Sequence, residues 1–263
     1  MLRIAAAFVL APLGIALAYA GGWWWAALVT LAAIGLFVEW LSIVGAAREM
    51  RVMVAGIAAL AMSGLCLALA RIDASLVLLA LGLLSVALLA GASRGWSAAG
   101  FLYAAAAQLA SILVRLDHSQ GPAALMLVLL VVWSADIGGY FVGRGIGGPK
   151  LWPRVSPNKT WAGAIGGLAA SLLVGLGFSL LGFGKAVPLL VLAAILSIAA
   201  QGGDLFESAV KRRFGVKDSS HIIPGHGGIL DRLDGFVAAI ILAAIIGFLR
   251  YGADGVGRGL MVW

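Results

Sequence analysis

The sequence has very few of the residues that water-soluble proteins place on their surfaces. Only 11% of its 263 residues are charged, eleven of them acidic, while 63% are hydrophobic and the mean hydropathy is +1.09. Soluble domains carry about 25% charged residues. No polar stretch is long enough to fold by itself, so the composition excludes a soluble enzyme or binding domain. We predict a single integral membrane domain over residues 1–263.

Cysteine and histidine are also scarce. Cys66 is the only cysteine, which excludes a disulfide framework and a cysteine-based metal site. The net charge of +7 would suggest a nucleic-acid partner in a soluble protein, but here the basic residues lie between hydrophobic segments. Membrane topology and anionic ligands explain these charges better. We therefore expect no nucleic-acid partner.

The abundant feature is apolar segments of about 20 residues, the length that crosses a bilayer. These segments predict an all-α fold, a polytopic membrane helical bundle with about nine transmembrane helices. The predicted spans lie near residues 4–20, 26–44, 52–70, 74–92, 97–115, 123–143, 161–183, 188–206 and 230–249.

The basic residues are unevenly divided between the two sides of these spans. With nine alternating spans, 13 of the 18 Lys and Arg residues fall on one side. Because cytoplasmic loops carry an excess of Lys and Arg, we predict the N-terminus inside and the C-terminus outside. The excess is concentrated in two loops, near 144–160 and 209–230, which are also the longest polar stretches. We expect the chemistry of the protein in these loops.

Acidic residues gather near the same loops. Six of the eleven lie between 136 and 234, and acids within membrane spans are usually functional. If the helix near 188–206 continues, one face would carry four polar side chains at helical spacing. They are Asp204, Glu207, Ser208 and Lys211.

The last span begins with a second group of acids. Gly227 and Gly228 can adopt positive φ, which permits a tight turn into the helix and places Asp231 and Asp234 one turn apart. A metal site made of carboxylate ligands and no cysteine suits Mg²⁺, which retains water ligands and often binds substrate phosphates. Alternatively, the acids form buried ion pairs with Lys211, Arg212 or Arg232.

The basic cluster in "VKRRFGVKD" indicates a phosphate-rich substrate, with positive-inside topology as the alternative reading. In the other loop, "SPNKT" lacks P-loop spacing, but its backbone and hydroxyl groups could hold phosphate at the start of the next helix.

Asp136 lies in the span that precedes this loop. Gly139 and Gly143 in the same span, and Gly163 and Gly167 in the span after the loop, permit close helix packing. The sequence names no partner for Glu39, an acid inside the second span.

The stretch "SAVKRRFGVKDSSHIIPGHGGILDRLD", residues 208–234, resembles the signature of the phosphatidate cytidylyltransferases, or CDP-diacylglycerol synthases. "SPNKTWAG" and "QGGDLFES" are also similar to segments of that family. The resemblance covers residues 134–235, while the N-terminal half matches only as a set of hydrophobic spans. It places the catalytic motifs in the C-terminal half, about 134–250.

The resemblance implies a nucleotidyltransferase of phospholipid biosynthesis that converts CTP and phosphatidate to CDP-diacylglycerol and pyrophosphate. It implies an integral protein of a bacterial cytoplasmic (inner) membrane, with the active site facing the cytoplasm. Mg²⁺ is the expected cofactor, and a second metal or a monovalent cation stays open. A homodimer also stays open as the oligomeric state.

The family motif assigns roles to particular residues. The expected metal ligands are Asp204 and Asp231, and the expected phosphate contacts are Lys211, Arg212, Lys217 and Arg232. The expected substrate-binding residues are Ser156, Asn158, Lys159, Thr160, Ser208, His226, Gly227 and Gly228. The residues expected to orient the metal ligands are Asp136, Glu207 and Asp234, with a hydrogen bond between helices as the alternative for Asp136.

Two other functions are weighed against this one. A transporter could bind or relay cations through Asp136, Asp204 and Asp231, but it predicts acids distributed across the membrane rather than clustered on one side. A CTP-dependent polyprenol kinase would share the nucleotide and the membrane but lack the full "HGGILDRLD" signature.

Overall fold

The computed structural model describes residues 12–220 and 227–263. Most of them are helical, as the hydropathy pattern predicts. Helix α1 covers residues 12–20, so only the second half of the predicted span 4–20 lies within the described residues. The other long helices are α2 (Gly22–Ile43), α3 (Met50–Ala68), α4 (Ile72–Leu89), α5 (Arg94–Leu116), α6 (Gly121–Ile146), α7 (Trp161–Leu180), α8 (Ala186–Arg213) and α9 (Leu230–Tyr251). A single 3₁₀ turn (Ala253–Gly255) and the short α10 (Val256–Met261) end the chain.

Among the described residues, eight helices are long and apolar enough to cross a membrane. They confirm the all-α membrane fold and eight of the nine predicted spans. The largest difference is at α8, which continues past 206 to Arg213. Good helix formers such as Glu, Lys and Arg extend the helix beyond its apolar part. The four polar residues from Asp204 to Lys211 therefore lie on one continuous helix.

A small antiparallel hairpin, which the sequence analysis did not predict, joins α6 to α7. Its strands are β1 (Lys150–Trp152) and β2 (Ser156–Thr160), with Lys150 opposite Thr160 and Trp152 opposite Ser156. Strands of three and five residues are too short to show a period of two in the sequence. The hairpin brings "SPNKT" directly to the first turn of α7.

The chain divides into two compact units, Met1–Ile112 with Arg213–Arg232, and Leu113–Arg212 with Leu233–Trp263. In the first unit, Phe37 and Phe101 are buried and meet edge to face with ring centroids 5.6 Å apart. In the second, the buried side of α6 is formed by aliphatic residues such as Val128 and Val131. The prediction of a single membrane domain stays a prediction.

Glycines allow α6 and α7 to pack closely within the second unit. A Cβ atom on Gly163 would lie 2.9 Å from the Gly139 carbonyl oxygen, and one on Gly167 would lie 2.6 Å from the Ala135 carbonyl oxygen. Both distances are shorter than a van der Waals contact, so a side chain at either position would push the helices apart. The structure confirms the close helix packing predicted from the glycine spacing.

The turn between α5 and α6 is organised by a buried carboxylate. Asp117 accepts hydrogen bonds from Ser119 N (2.9 Å), Ser119 Oγ (2.8 Å), Gln120 N (3.2 Å) and Arg258 N (2.9 Å). Burial by itself raises the pKa of Asp117, but the hydrogen bonds from Ser119, Gln120 and Arg258 outweigh it and hold the pKa below its ordinary value. The carboxylate thereby ties this turn to the C-terminal segment.

We expect Asp117→Asn to lower the melting temperature in detergent at neutral pH. The amide cannot accept all four hydrogen bonds, and each buried group left unsatisfied costs about 1–3 kcal/mol of the free energy of unfolding. Because the folded-state pKa is depressed, this stabilisation is present above the ordinary pKa of 3.8 and is lost as the pH falls through the lower folded value. Melting curves should therefore converge below pH 3.8. A difference that persisted unchanged at low pH would contradict this role.

Candidate active site

The second unit contains a polar cavity of about 660 Å³. Residues from α6, the hairpin, the start of α7 and the middle of α8 line it, so "SPNKTWAG" and "QGGDLFES" contribute to one site, whereas the described residues of the loop 209–230 do not line it. The polar and charged lining residues are Asp136, Tyr140, Arg144, Lys150, Asn158, Lys159, Thr160, Gln201 and Asp204. Four predicted substrate or metal contacts thus meet here: Asn158, Lys159, Thr160 and Asp204.

An ion pair lies at the wall of the cavity. The Lys159 ammonium group on β2 contacts Asp204 Oδ2 on α8, and Ser208 Oγ donates to Asp204 Oδ1 at 3.4 Å. Both charged side chains stay partly exposed, at 28% and 30%. The sequence suggested Lys211, Arg212 or Arg232 as pairing partners, whereas the structure pairs Asp204 with Lys159. Sequence spacing could not indicate this pair, because its members lie on separate elements.

Two further carboxylates lie near this pair. Asp234 on α9 is close enough to interact electrostatically with Asp204, Asp136 and Lys159. Asp136 is exposed at the cavity wall. These three carboxylates lie near the ammonium group of Lys159, while Arg144 and Lys150 line the same cavity. In the described parts of the chain, no three His, Cys, Asp or Glu residues form a metal-binding group by themselves.

Glu207 and Lys211 form a second ion pair, one turn apart on α8. Lys211 Nζ lies 2.7 Å from Glu207 Oε2, and the residues are only 9% and 1% exposed. Lys211 is therefore neutralised by its own helix and buried. By contrast, Arg212, Lys217 and Arg232 are exposed. Direct phosphate contact by these four residues stays a prediction.

The hairpin residues differ in their surroundings. Thr160 is the N-cap of α7, and its Oγ1 accepts a hydrogen bond from Gly163 N at 3.1 Å. One of the N–H groups expected to bind phosphate is therefore used by this cap. Asn158 is exposed to the cavity, and Ser156 lies at the start of β2, opposite Trp152.

In the first unit, the end of the signature enters α9 through two glycines. Gly227 adopts a φ of +82°, as predicted for a tight turn. Gly228 does not have positive φ, and a different constraint applies to it: a Cβ atom there would lie 2.0 Å from Ser219 Oγ and 2.3 Å from Glu39 Oε2. Close approach of two side chains requires glycine at 228. The predicted contact His226 lies outside the described residues.

Asp231 is held in place by the segment that precedes the helix. Its Oδ2 accepts hydrogen bonds from Gly228 N (2.9 Å) and Ser219 N (3.0 Å), and it lies 2.9 Å from Ser219 Oγ, whose single hydrogen is shared with Glu39. A carboxylate in the first turn of a helix also interacts favourably with the helix dipole. Asp231 belongs to the first unit and Asp204 to the second, so their predicted ligation of one metal ion stays a prediction.

The structure supplies the partners of Glu39, which the sequence could not. Its carboxylate is 1% exposed and accepts hydrogen bonds from Ser219 Oγ (2.8 Å), Ser220 Oγ (2.6 Å), Ile229 N (2.8 Å) and Leu230 N (2.8 Å). All four donors belong to the signature segment 208–234. The sequence did contain a signal for this contact, because an acid in an apolar span needs donors and the backbone N–H groups at a helix start need an acceptor.

Comparison with known proteins identifies the family of this chain. The cytidylyltransferase family profile matches residues 1–249. The phosphatidate cytidylyltransferases of Brucella suis biovar 1 (strain 1330) and Brucella abortus biovar 1 (strain 9-941) are each 42% identical over 254 residues. Those alignments cover 93% of this chain and 92% of the relatives.

Another group of relatives matches about half of the chain. The phosphatidate cytidylyltransferase of Staphylococcus saprophyticus is 49% identical over 131 residues, which are 49% of this chain and 50% of that protein. The full-length matches extend beyond the signature to the N-terminal half, where the sequence alone showed only hydrophobic spans. This chain is an integral membrane nucleotidyltransferase and belongs to the cytidylyltransferase family.

Proposed function

We propose that the protein transfers the cytidylyl group of CTP to phosphatidate, forming CDP-diacylglycerol and releasing pyrophosphate. The observation that carries this proposal is the cavity in which Lys159, Lys150 and Arg144 lie beside Asp204 and Asp136. Cationic groups suit the phosphates of both substrates, and carboxylates suit a divalent cation bound with them. The full-length relatives bear the same activity in their name.

The surroundings of the hairpin suit a lipid substrate. Trp152 and Trp161 are 49% and 55% exposed, and exposed tryptophans near the ends of membrane helices commonly lie at the bilayer interface. At that depth, the acyl chains of phosphatidate can stay in the hydrocarbon while the headgroup meets CTP that arrives from water. The position of the cavity beside the hairpin, between the end of α6 and the start of α7, supports this arrangement.

Mg²⁺ is proposed as the cofactor, with Asp204 and Asp231 as its ligands, as the family resemblance implies. The donor chemistry fits, because carboxylate oxygens are hard ligands and Mg²⁺ commonly binds one or two of them together with water and substrate phosphates. Asp136 and Asp234 lie near Asp204, where they can orient it. The bound ion would neutralise phosphate charge.

The proposed reaction is an in-line displacement. A phosphate oxygen of phosphatidate attacks the α-phosphorus of CTP, a new P–O bond forms, and the bond from the α-phosphorus to the bridging oxygen of the β-phosphate breaks. Pyrophosphate leaves with the electron pair. Lys159 can exchange its contact with Asp204 for a phosphate oxygen and so offset the developing charge. The attacking phosphate is already ionised at neutral pH, so His226 is assigned to positioning.

We propose that the site faces the cytoplasm of a bacterial inner membrane, with the N-terminus inside. CTP is a cytoplasmic nucleotide, and 13 of the 18 Lys and Arg residues lie on the side that carries both polar loops. The full-length relatives are bacterial proteins, which supports a bacterial membrane.

Purified protein in phosphatidate-containing micelles should convert labelled CTP to lipid-linked cytidine and release pyrophosphate. Removal of divalent ions with EDTA should abolish turnover, and added Mg²⁺ should restore it, because the cations of the site do not balance the charge of four phosphate groups. Thin-layer separation of labelled lipid gives the readout. Absence of labelled lipid would refute the reaction, and undiminished turnover in EDTA would refute the metal.

The two ends of α8 test the orientation. Arg213 and Lys185 are exposed and lie at opposite ends of this helix, which at 28 residues is about 42 Å long. In a Cys66→Ser background, a cysteine in place of Arg213 should react with an impermeant maleimide only after the membrane is opened. A cysteine in place of Lys185 should react in intact cells. The reverse pattern would invert the topology.

Substitutions at the ion pair separate metal binding from structural pairing. Asp204→Asn keeps the shape and removes the charge, so turnover should fall by about 100-fold or more if the carboxylate binds metal. The melting temperature should change little, because a part-exposed pair contributes about 0.2–1 kcal/mol. The buried pair provides the contrast: Glu207→Gln leaves Lys211 buried without its carboxylate and should cost about 3–5 kcal/mol.

The double variant Asp204→Asn with Lys159→Met is the control for pairing. If Asp204 served only to neutralise Lys159, Asp204→Asn would cause no further loss of turnover once Lys159→Met has removed the cation. A double variant as active as Lys159→Met alone, or near-normal turnover in Asp204→Asn alone, would contradict the metal role.

A further inference from the structure

Glu39 is a buried acid in the last turns of an apolar helix, and the proposed reaction gives it no role. It lies on α2 and is 1% exposed. Ionisable residues inside membrane spans are costly and commonly mark functional sites. Four donors surround its two oxygens at 2.6–2.8 Å. Each oxygen accepts from one serine hydroxyl and one backbone N–H group.

These donors lie on both sides of the segment 221–226. Ser219 and Ser220 come immediately before that segment, and Ile229 and Leu230 follow it at the start of α9. N–H groups at a helix start have no partner within the helix, so an external carboxylate both satisfies them and interacts favourably with the helix dipole. One side chain therefore fixes two parts of the signature at once.

The hydroxyl group of Ser219 connects Glu39 to Asp231. Ser219 Oγ lies 2.8 Å from Glu39 Oε2 and 2.9 Å from Asp231 Oδ2. Gly228 contacts both acids, because its N–H donates to Asp231 and its α-carbon leaves no space for a Cβ beside Glu39. A displacement of Glu39 would therefore be transmitted to Asp231 through Ser219 and Gly228.

We propose that Glu39 is a positioning residue for cytidylyl transfer: it holds Asp231, and the adjoining segment that carries Lys217, in the arrangement that the reaction requires. This inference rests on the proposed function. It differs from a purely structural role, in which Glu39 would stabilise the fold and leave the turnover of folded protein unchanged.

Asp117 provides a matched control for this distinction. It is likewise a buried carboxylate that accepts four hydrogen bonds, two of them from a serine, but its donors lie outside the signature. Glu39→Gln and Asp117→Asn both retain shape and replace one acceptor oxygen by an amide group, which would face a donor. If Glu39 acts only through stability, the two variants should behave alike.

The experiment measures kcat, the KM for CTP and amide hydrogen exchange for the wild type and both variants, purified as folded protein. Glu39→Gln should lower kcat by about 10- to 100-fold, as expected for a misplaced reacting group, with little change in KM. Exchange should accelerate at residues 219–220 and 228–230. Asp117→Asn should retain kcat, with faster exchange confined to residues near 119–120 and 258.

Several outcomes would overturn the proposal. They are a kcat within twofold of wild type in folded Glu39→Gln, an equal loss of kcat in both variants, and unchanged exchange at 219–220 and 228–230. If wild type itself made no CDP-diacylglycerol, the proposed function would fail, whereas the exchange measurement would still decide whether Glu39 holds the segment.

A milder pair of variants applies if Glu39→Gln does not fold. Ser220→Ala removes one hydroxyl from Glu39 and leaves the hydrogen bonds from Ser219 to Asp231 in place, while Ser119→Ala removes the corresponding hydroxyl from Asp117. Ser220→Ala should lower kcat by about threefold or more and Ser119→Ala should not. Equal kcat values in these two variants would overturn the positioning role.

Discussion

The structure of the signature segment depends on the burial of one carboxylate. A charged group in an apolar environment is strongly destabilising unless donors satisfy it, and Glu39 obtains all four of its donors from the segment that ends in α9. Those donors in turn fix Ser219 and Gly228, the residues that orient Asp231. Through Glu39, the N-terminal half is hydrogen-bonded to the signature segment, and the similarity to full-length relatives extends across both.

The remaining charges follow a second physical rule, which is local neutralisation. Lys159 contacts Asp204 where both are part-exposed, whereas Lys211 and Glu207 are buried against each other. Exposed pairs exchange partners at little cost, while buried pairs are strongly destabilised when one partner is removed. The two pairs therefore suit different tasks. The exposed pair suits a site in which Lys159 exchanges Asp204 for an incoming phosphate, whereas the buried pair of Glu207 and Lys211 stabilises α8.

The transmembrane helices could be predicted from the sequence because hydropathy and helix length act locally. The extended polar face of α8 and the glycine contacts of Gly163 and Gly167 were also predictable, since they follow from helical periodicity. The hairpin, the pairing of Lys159 with Asp204 and the donors of Glu39 were not. Each depends on which distant segments meet, and the spacing of residues along one element contains no such information. The expectation of a positive φ at Gly228 was wrong. Glycine is required there because Ser219 and Glu39 occupy the space that a Cβ atom would need.

The distance in sequence between Glu39 and its partners has a consequence for biosynthesis. Glu39 precedes Ser219 by 180 residues, so at translation rates of about 5–20 residues per second its helix enters the membrane roughly 10–40 s before the donors exist. During this interval the carboxylate must be protonated, solvated or held by the insertion machinery. The hydrogen bonds that satisfy this acid in the folded protein can therefore form only after the signature segment has been synthesised.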